Sequence, residues 1–218
     1  KTGLFYGTGT EKTTFVANKI RKAFGEDQID KAMEKDFEAY DHILAGTSTW
    51  FDGELPTYWD EIIPELVTLD LKNKKVAIFG LGDQTNYPDN FADGVGILAD
   101  AFTSCGATLV GETSSDDYFF NASKALKNGK LLGLVLDLEN QPDQTDKRIE
   151  RWVKQLKEAS DKEECILNRK RELNRKRNES LHGFVTLSVY TPVFHTHTVP
   201  ASAIALAQLC HTDGIPVP

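Results

Sequence analysis

Between Leu4 and Thr14 the chain reads LFYGTGTEKTT, an apolar run, then a cluster of small and hydroxylated residues, then the start of an amphipathic segment. Thr8, Thr10 and Thr13 can donate hydroxyl hydrogen bonds. A helix beginning here adds unpaired N–H groups and the positive end of its dipole, so the turn favours an anion of phosphate type. It is not a Walker A loop: with Lys12-Thr13 as its last pair, that motif needs glycine at positions 6 and 11, where Tyr6 and Glu11 stand. A threonine N-cap on an ordinary helix reads equally well for this stretch taken alone.

Two further stretches change that balance. GTSTWFDGELPTYWDE places Trp50 directly after an apolar run, and GLGDQTNYPDNF does the same with Tyr87. Each aromatic alone is most simply a surface ring packing on its own loop. Together, at the ends of adjacent strands and beside a phosphate-type turn, they form two walls of a slot for a flat ring. Flavin mononucleotide (FMN) carries a phosphate at one end and a planar ring at the other.

The elements that must position these loops read as alternating strands and helices. Apolar runs recur at Leu4–Tyr6, Ile43–Ala45, Val76–Phe79, Thr108–Val110 and Leu132–Leu136, with helix candidates at Thr13–Phe24, Trp59–Leu66, Asn90–Ser104 and Thr145–Glu158. That rhythm predicts an α/β fold with a parallel sheet, and the few aromatics and Pro-broken strand candidates after it predict a poorly structured C-terminal tail. Ligands of such sheets bind at the carboxyl ends of the strands where strand order reverses, which singles out the loops after Tyr6, Ala45 and Phe79.

Composition suits a soluble globular chain: 218 residues, 40% hydrophobic and 27% charged. Cys105, Cys165 and Cys210 are widely spaced and never form a Cys-x-x-Cys pair, so the expectation is a reducing, cytoplasmic setting with no disulfide framework. The longest apolar run, about 201–209, is too short to span a bilayer, and no leader pattern opens the sequence. Charge is uneven. Residues 160–218 hold seven Lys/Arg against six Asp/Glu, which leaves residues 1–159 at a formal −9. The expected organisation is therefore an acidic domain over 1–159 and a C-terminal extension over 160–218.

GLFYGTGTEKTT, TSTWFDGELPTYWDE, VAIFGLGDQTNYPDNFADGVGIL and DDYFFNASKALKNGKLLGLVLDLENQPDQTDKRIERWVKQL resemble successive signatures of the long-chain flavodoxins over about residues 1–159. The resemblance implies a flavodoxin-like, doubly wound five-stranded parallel sheet of order 2-1-3-4-5 with helices on both faces, and the segment from about Glu112 to Leu131 as an insertion splitting the last strand. It also implies noncovalent FMN and electron transfer between redox proteins rather than catalysis. Carried over by position, Thr8, Gly9, Thr10, Lys12 and Thr13 hold the phosphate, with Glu11 in the same loop. Trp50 and Tyr87 sandwich the ring, and Thr49, Gly53, Gly82, Asp83 and Asn90 line its edge and the ribityl chain. The Phe51–Asp52 peptide turns its carbonyl toward the ring's N5–H in the neutral semiquinone, and FMN shuttles between semiquinone and hydroquinone. Implied partners are redox proteins with basic docking surfaces: a reductase of the ferredoxin–NADP type, photosystem I, or a flavodoxin-reducing oxidoreductase. A monomer is expected, with no nucleic acid and no membrane insertion.

The sequence departs from the family pattern in three places. Glu11 stands where glycine is usual, Ser48 where proline is usual, and Gly25–Tyr40 is short, which leaves little of the second strand. A carboxylate roughly 6 to 7 Å from a phosphate would cost about 2 to 3 kcal/mol per unit charge at an effective dielectric near 20, and about a quarter of that in water. The Glu11 side chain is therefore expected to turn outward while the loop still binds phosphate. Carboxylates at Asp52, Glu54, Asp83 and Asp89 oppose negative charge on the ring and predict a low potential for the second electron.

A quinone-reductase-type FMN enzyme is the alternative function, but it needs a substrate pocket over a ring face, and Trp50 and Tyr87 are expected to cover both. A phosphorelay receiver needs acids where Gly7, Thr8, Gly46 and Thr47 stand. In the extension, LNRKRELNRKRN reads as a solvated basic helix, and His195, His197, Cys210 and His211 show no standard metal spacing.

Overall fold

The computed structural model describes residues 1–7, 11–31 and 36–186, and the chain divides into two units, Lys1–Ile166 and Leu167–Pro218. In the first unit, strands β1 (Thr2–Tyr6), β2 (Asp30–Lys31), β3 (His42–Ser48), β4 (Lys75–Leu81) and β5 (Thr108–Val110) form one parallel sheet in the order β2-β1-β3-β4-β5. The interior positions of the central strands β1, β3 and β4 are buried on both faces, as a sheet covered by helices on each side requires. Neighbouring residues along β3 point to opposite faces: Ile43 and Ala45 join one core, Leu44 the other.

Helix α1 (Glu11–Phe24) covers one face through Val16, Ala17 and Ile20, together with Ile149, Trp152, Val153 and Leu156 of α4 (Thr145–Thr186). Helices α2 (Thr57–Leu66) and α3 (Asp93–Ser104) cover the other through Trp59, Ile62, Leu66, Val95, Leu98 and Phe102. Two buried indoles also tie their helices to the sheet side, one to β3 and one to the turn after β5. Trp59 Nε1 donates to the Gly46 carbonyl at 2.8 Å, and Trp152 Nε1 to that of Gly111 at 2.7 Å.

The last sheet position is split, as the resemblance implied. β5 pairs with Lys75–Ala77 of β4, and β9 (Leu134–Leu136) pairs with Phe79–Leu81 of the same strand. Between them β6 (Thr113–Ser114), β7 (Leu126–Lys127) and β8 (Lys130–Leu131) form a small antiparallel sheet of order β6-β8-β7. The edge strand β2 is two residues long, in line with the short segment before Tyr40.

Several boundaries differ from the sequence reading: α2 begins at Thr57 instead of Trp59 and α3 at Asp93 instead of Asn90. Helix α1 begins at Glu11 instead of Thr13, so the glutamate belongs to the first helical turn, where a carboxylate complements the dipole. Helix α4 does not end near Ala159 but runs to Thr186. No glycine or proline interrupts 143–182, and the segment is rich in Lys, Arg, Glu and Leu, all good helix formers. In the second unit, Glu172–Lys176 at 2.8 Å and Arg175–Glu179 at 3.7 Å add i,i+4 pairs, and 167–179 are exposed. Among the described residues no helix is long and apolar enough to cross a membrane, and no group of His, Cys, Asp and Glu could hold a metal ion. His195, His197, Cys210 and His211 lie outside the described residues.

Candidate functional site

A cavity of about 690 Å³ opens at the carboxyl ends of β3, β4 and β9, beside the N-terminus of α1. Glu11, Lys12, Thr49, Trp50, Phe51, Gly82, Asp83, Tyr87 and Asn90 all line it. Thr13, Asp52 and Gly53 do not: Thr13 is buried on the inner face of α1, Asp52 is exposed at the tip of the Trp50 turn, and Gly53 is buried beneath it against Asp93 and Asn90. Thr8, Gly9 and Thr10 lie outside the described residues.

The Trp50 turn is tightly specified. Trp50 and Glu54 exchange both backbone hydrogen bonds, at 2.8 and 2.7 Å, forcing Phe51 to φ 43° and Gly53 to φ 94°. Gly53 is required twice, by that φ and by space, because a Cβ there would lie 2.6 Å from Asp93 Oδ2 and 2.9 Å from Asn90 Nδ2. Asn90 Nδ2 donates to the Asp52 carbonyl at 3.1 Å and to buried Asp93 at 3.3 Å. Thr49 Oγ1 accepts the Gly94 N–H at 3.0 Å, tying the same turn to the start of α3.

The Tyr87 loop is built on Asp83. Its carboxylate accepts the N–H groups of Thr85 and Asn86 at 3.1 and 3.0 Å, and its carbonyl accepts that of Tyr87 at 3.0 Å. Burial pushes the Asp83 carboxyl up, but hydrogen bonds from Asn86, Asn140 and Thr85 outweigh it and hold the group below the usual carboxylate range. Tyr87 itself is 57% exposed and Phe51 73%, so the cavity has aromatic walls open to solvent at the rim.

Sequence reasoning missed Ser48, Leu81, Ala92, Leu138 and Glu139 as lining residues. The last two follow β9, and the strand-end rule that selected three loops applies equally to this fourth one. Glu139 pairs with Lys12, so the expected phosphate lysine reaches across to the opposite wall. Ser48 Oγ is buried without a hydrogen-bond partner.

This donor set fits FMN. The cavity has the volume of a cofactor pocket, aromatic rings at Trp50 and Tyr87, a helix N-terminus and Lys12 at one end, and an orphaned hydroxyl at Ser48 that a polar ligand atom can satisfy.

Sheet order, split last strand and crevice define a doubly wound α/β protein of the flavodoxin-like class. The profile of the flavodoxin family matches residues 4–152. A flavodoxin of Nostoc sp. (strain PCC 7120) is 48% identical over 162 residues, covering 72% of this chain and 95% of the relative. Flavodoxin 1 of Escherichia coli K12 is 40% identical over 171 residues, covering 76% and 97%. Among solved structures, the Fusobacterium nucleatum flavodoxin bound to flavin mononucleotide superposes with a TM-score of 0.69 at 31% identity, covering 72% of this chain and 97% of that one. The chain belongs to the flavodoxin family.

Proposed function

We propose that this chain is a low-potential electron carrier that holds FMN noncovalently in the crevice and passes electrons between redox proteins. The observation that carries the reading is the convergence of Trp50, Tyr87 and the N-terminus of α1 on one cavity at the strand ends. FMN supplies one-electron chemistry when bound. Trp50 and Tyr87 hold the ring between them and limit water access, while the first turn of α1, Lys12 and the Thr8–Thr10 loop hold the phosphate. Thr49, Gly82, Asp83 and Asn90 would line the ring edge and ribityl chain, while Gly53, expected there, packs behind them and shapes the Trp50 turn.

Asn90 and Asp93 fix the Asp52 carbonyl, leaving the adjacent Phe51–Asp52 peptide as the part of the turn that can reorient toward a proton on the ring. Asp52, Glu54, Asp83 and Asp89 disfavour added negative charge there, which lowers the potential of the second electron. The same acidic surface steers basic partners such as a ferredoxin–NADP-type reductase, photosystem I or a flavodoxin-reducing oxidoreductase, with salt-sensitive association. We place the protein in the cytoplasm as a monomer whose electron-carrying domain spans 1–159, with 160–218 as an extension. A quinone-reductase-type enzyme is disfavoured because rings on both sides leave no substrate face. The test is anaerobic turnover. The FMN-loaded chain should shuttle electrons from a reductase to a protein acceptor and show no direct hydride transfer from NAD(P)H to a quinone; rapid quinone reduction without a protein partner would overturn the reading.

A further inference from the structure

We infer that Asn140, which does not itself line the cavity, is a positioning residue for the flavin ring: its side-chain amide pins the Tyr87 loop to the loop after β9. The inference rests on the FMN reading above. Two cavity walls are involved. One carries Gly82, Asp83 and Tyr87, the other Leu138 and Glu139.

Asn140 is bonded to both. Its Oδ1 accepts the Thr85 hydroxyl at 2.7 Å, while its Nδ2 donates to Asp83 Oδ1 at 2.9 Å and to Asp137 Oδ1 and Oδ2 at 2.9 and 2.8 Å. The amide orientation follows from this chemistry, since only the nitrogen can face two carboxylates and only the oxygen can take the hydroxyl proton. Asp137 is buried and fixed by the N–H groups of Gln84 at 3.0 Å, Glu139 at 3.2 Å and Asn140 at 3.0 Å. Asp83 in turn holds the Tyr87 N–H through its carbonyl. A continuous path of hydrogen bonds thus runs from a buried carboxylate through one amide to the backbone of the ring-stacking tyrosine.

The placement has an electrostatic logic. Asp83 and Asp137 are like charges held against one NH₂ group, and charge-assisted donation from that group offsets their repulsion. A carboxylate at position 140 has no proton to donate and adds a third negative charge. The charged groups bonded to it are Asp83 from the β4–α3 loop and Asp137 from its own loop; Glu139, its neighbour in sequence, pairs with Lys12 of α1. A carboxyl crowded by two carboxylates has a raised pKa, so Asn140→Asp should recover a donor on mild acidification.

The test compares the full chain with its Asn140→Asp variant. FMN dissociation constants are measured by flavin fluorescence quenching at about pH 8 and about pH 5.5, and amide hydrogen exchange of residues 83–87 is followed in both apo-proteins. The variant should bind FMN about tenfold more weakly than the parent at the higher pH, and within about threefold of it at the lower. Its 83–87 amides should exchange faster at the higher pH only. A parent-like affinity at both pH values, or an equal loss at both, overturns the inference. If the parent itself binds no FMN while the exchange of 83–87 still responds, the cofactor reading has failed, and the flavin role of Asn140 with it, although the loop coupling stands.

Discussion

Replacing Gly53 by alanine tests whether the Trp50 turn is held as described. At φ 94° an L-residue is strained by about 1 to 2 kcal/mol. The new Cβ would also lie 2.6 Å from Asp93 Oδ2 and 2.9 Å from Asn90 Nδ2, both packed side-chain atoms, so Asn90 must move. Moving it breaks its 3.1 Å hydrogen bond to the Asp52 carbonyl, worth about 0.5 to 1.5 kcal/mol. The expected total is about 1.5 to 3.5 kcal/mol, divided between the folding stability of the apo-protein and the affinity for FMN. Urea unfolding gives the first and a fluorescence titration the second. Losses of less than about 0.5 kcal/mol in both would show that the turn relaxes freely, and the account of its rigidity would be wrong.

Other substitutions probe separate parts of the account. Tyr87→Ala should weaken FMN binding about tenfold and make the second electron easier to add, because an electron-rich wall is lost and water enters; spectroelectrochemistry reads both effects. Glu11→Gln should tighten FMN binding by about 1 kcal/mol at low salt, with the gain shrinking as salt rises, and a salt-independent or opposite effect would place the carboxylate in a supporting role. Burial, followed by the nearby Lys75 charge, holds the His42 imidazole below its ordinary value. The unfolded chain therefore binds more protons, stability falls as pH drops through about 6.5, and His42→Gln should flatten that slope in thermal melts. A chain ending at Ile166 keeps every sheet strand and the Glu163–Lys75 ion pair, and should retain parental FMN affinity; release of the flavin on truncation would make 167–218 part of the binding unit.

Much of this was legible in the sequence because parallel strands buried on both faces leave continuous apolar runs, and each helix shows its stripe. The cavity aromatics Trp50 and Tyr87 were legible for the same reason, since strand ends could be counted. Helix starts were less so: Glu11 reads as a loop residue by type, yet its carboxylate suits the first turn of α1. The length of α4 is hidden from composition because the charge balance changes near residue 160 while helix propensity persists across it. Asp137 and Asn140 carry no local signature. Their roles depend on β9 lying beside β4, a pairing that joins residues more than fifty positions apart.

The most direct measurement is the visible spectrum of the purified chain during stepwise anaerobic reduction. One FMN per chain is expected, released intact on denaturation and reduced in two resolved one-electron steps with the second at markedly lower potential. A chain that takes up no FMN, or that takes up both electrons together at one potential, would contradict the electron-carrier reading.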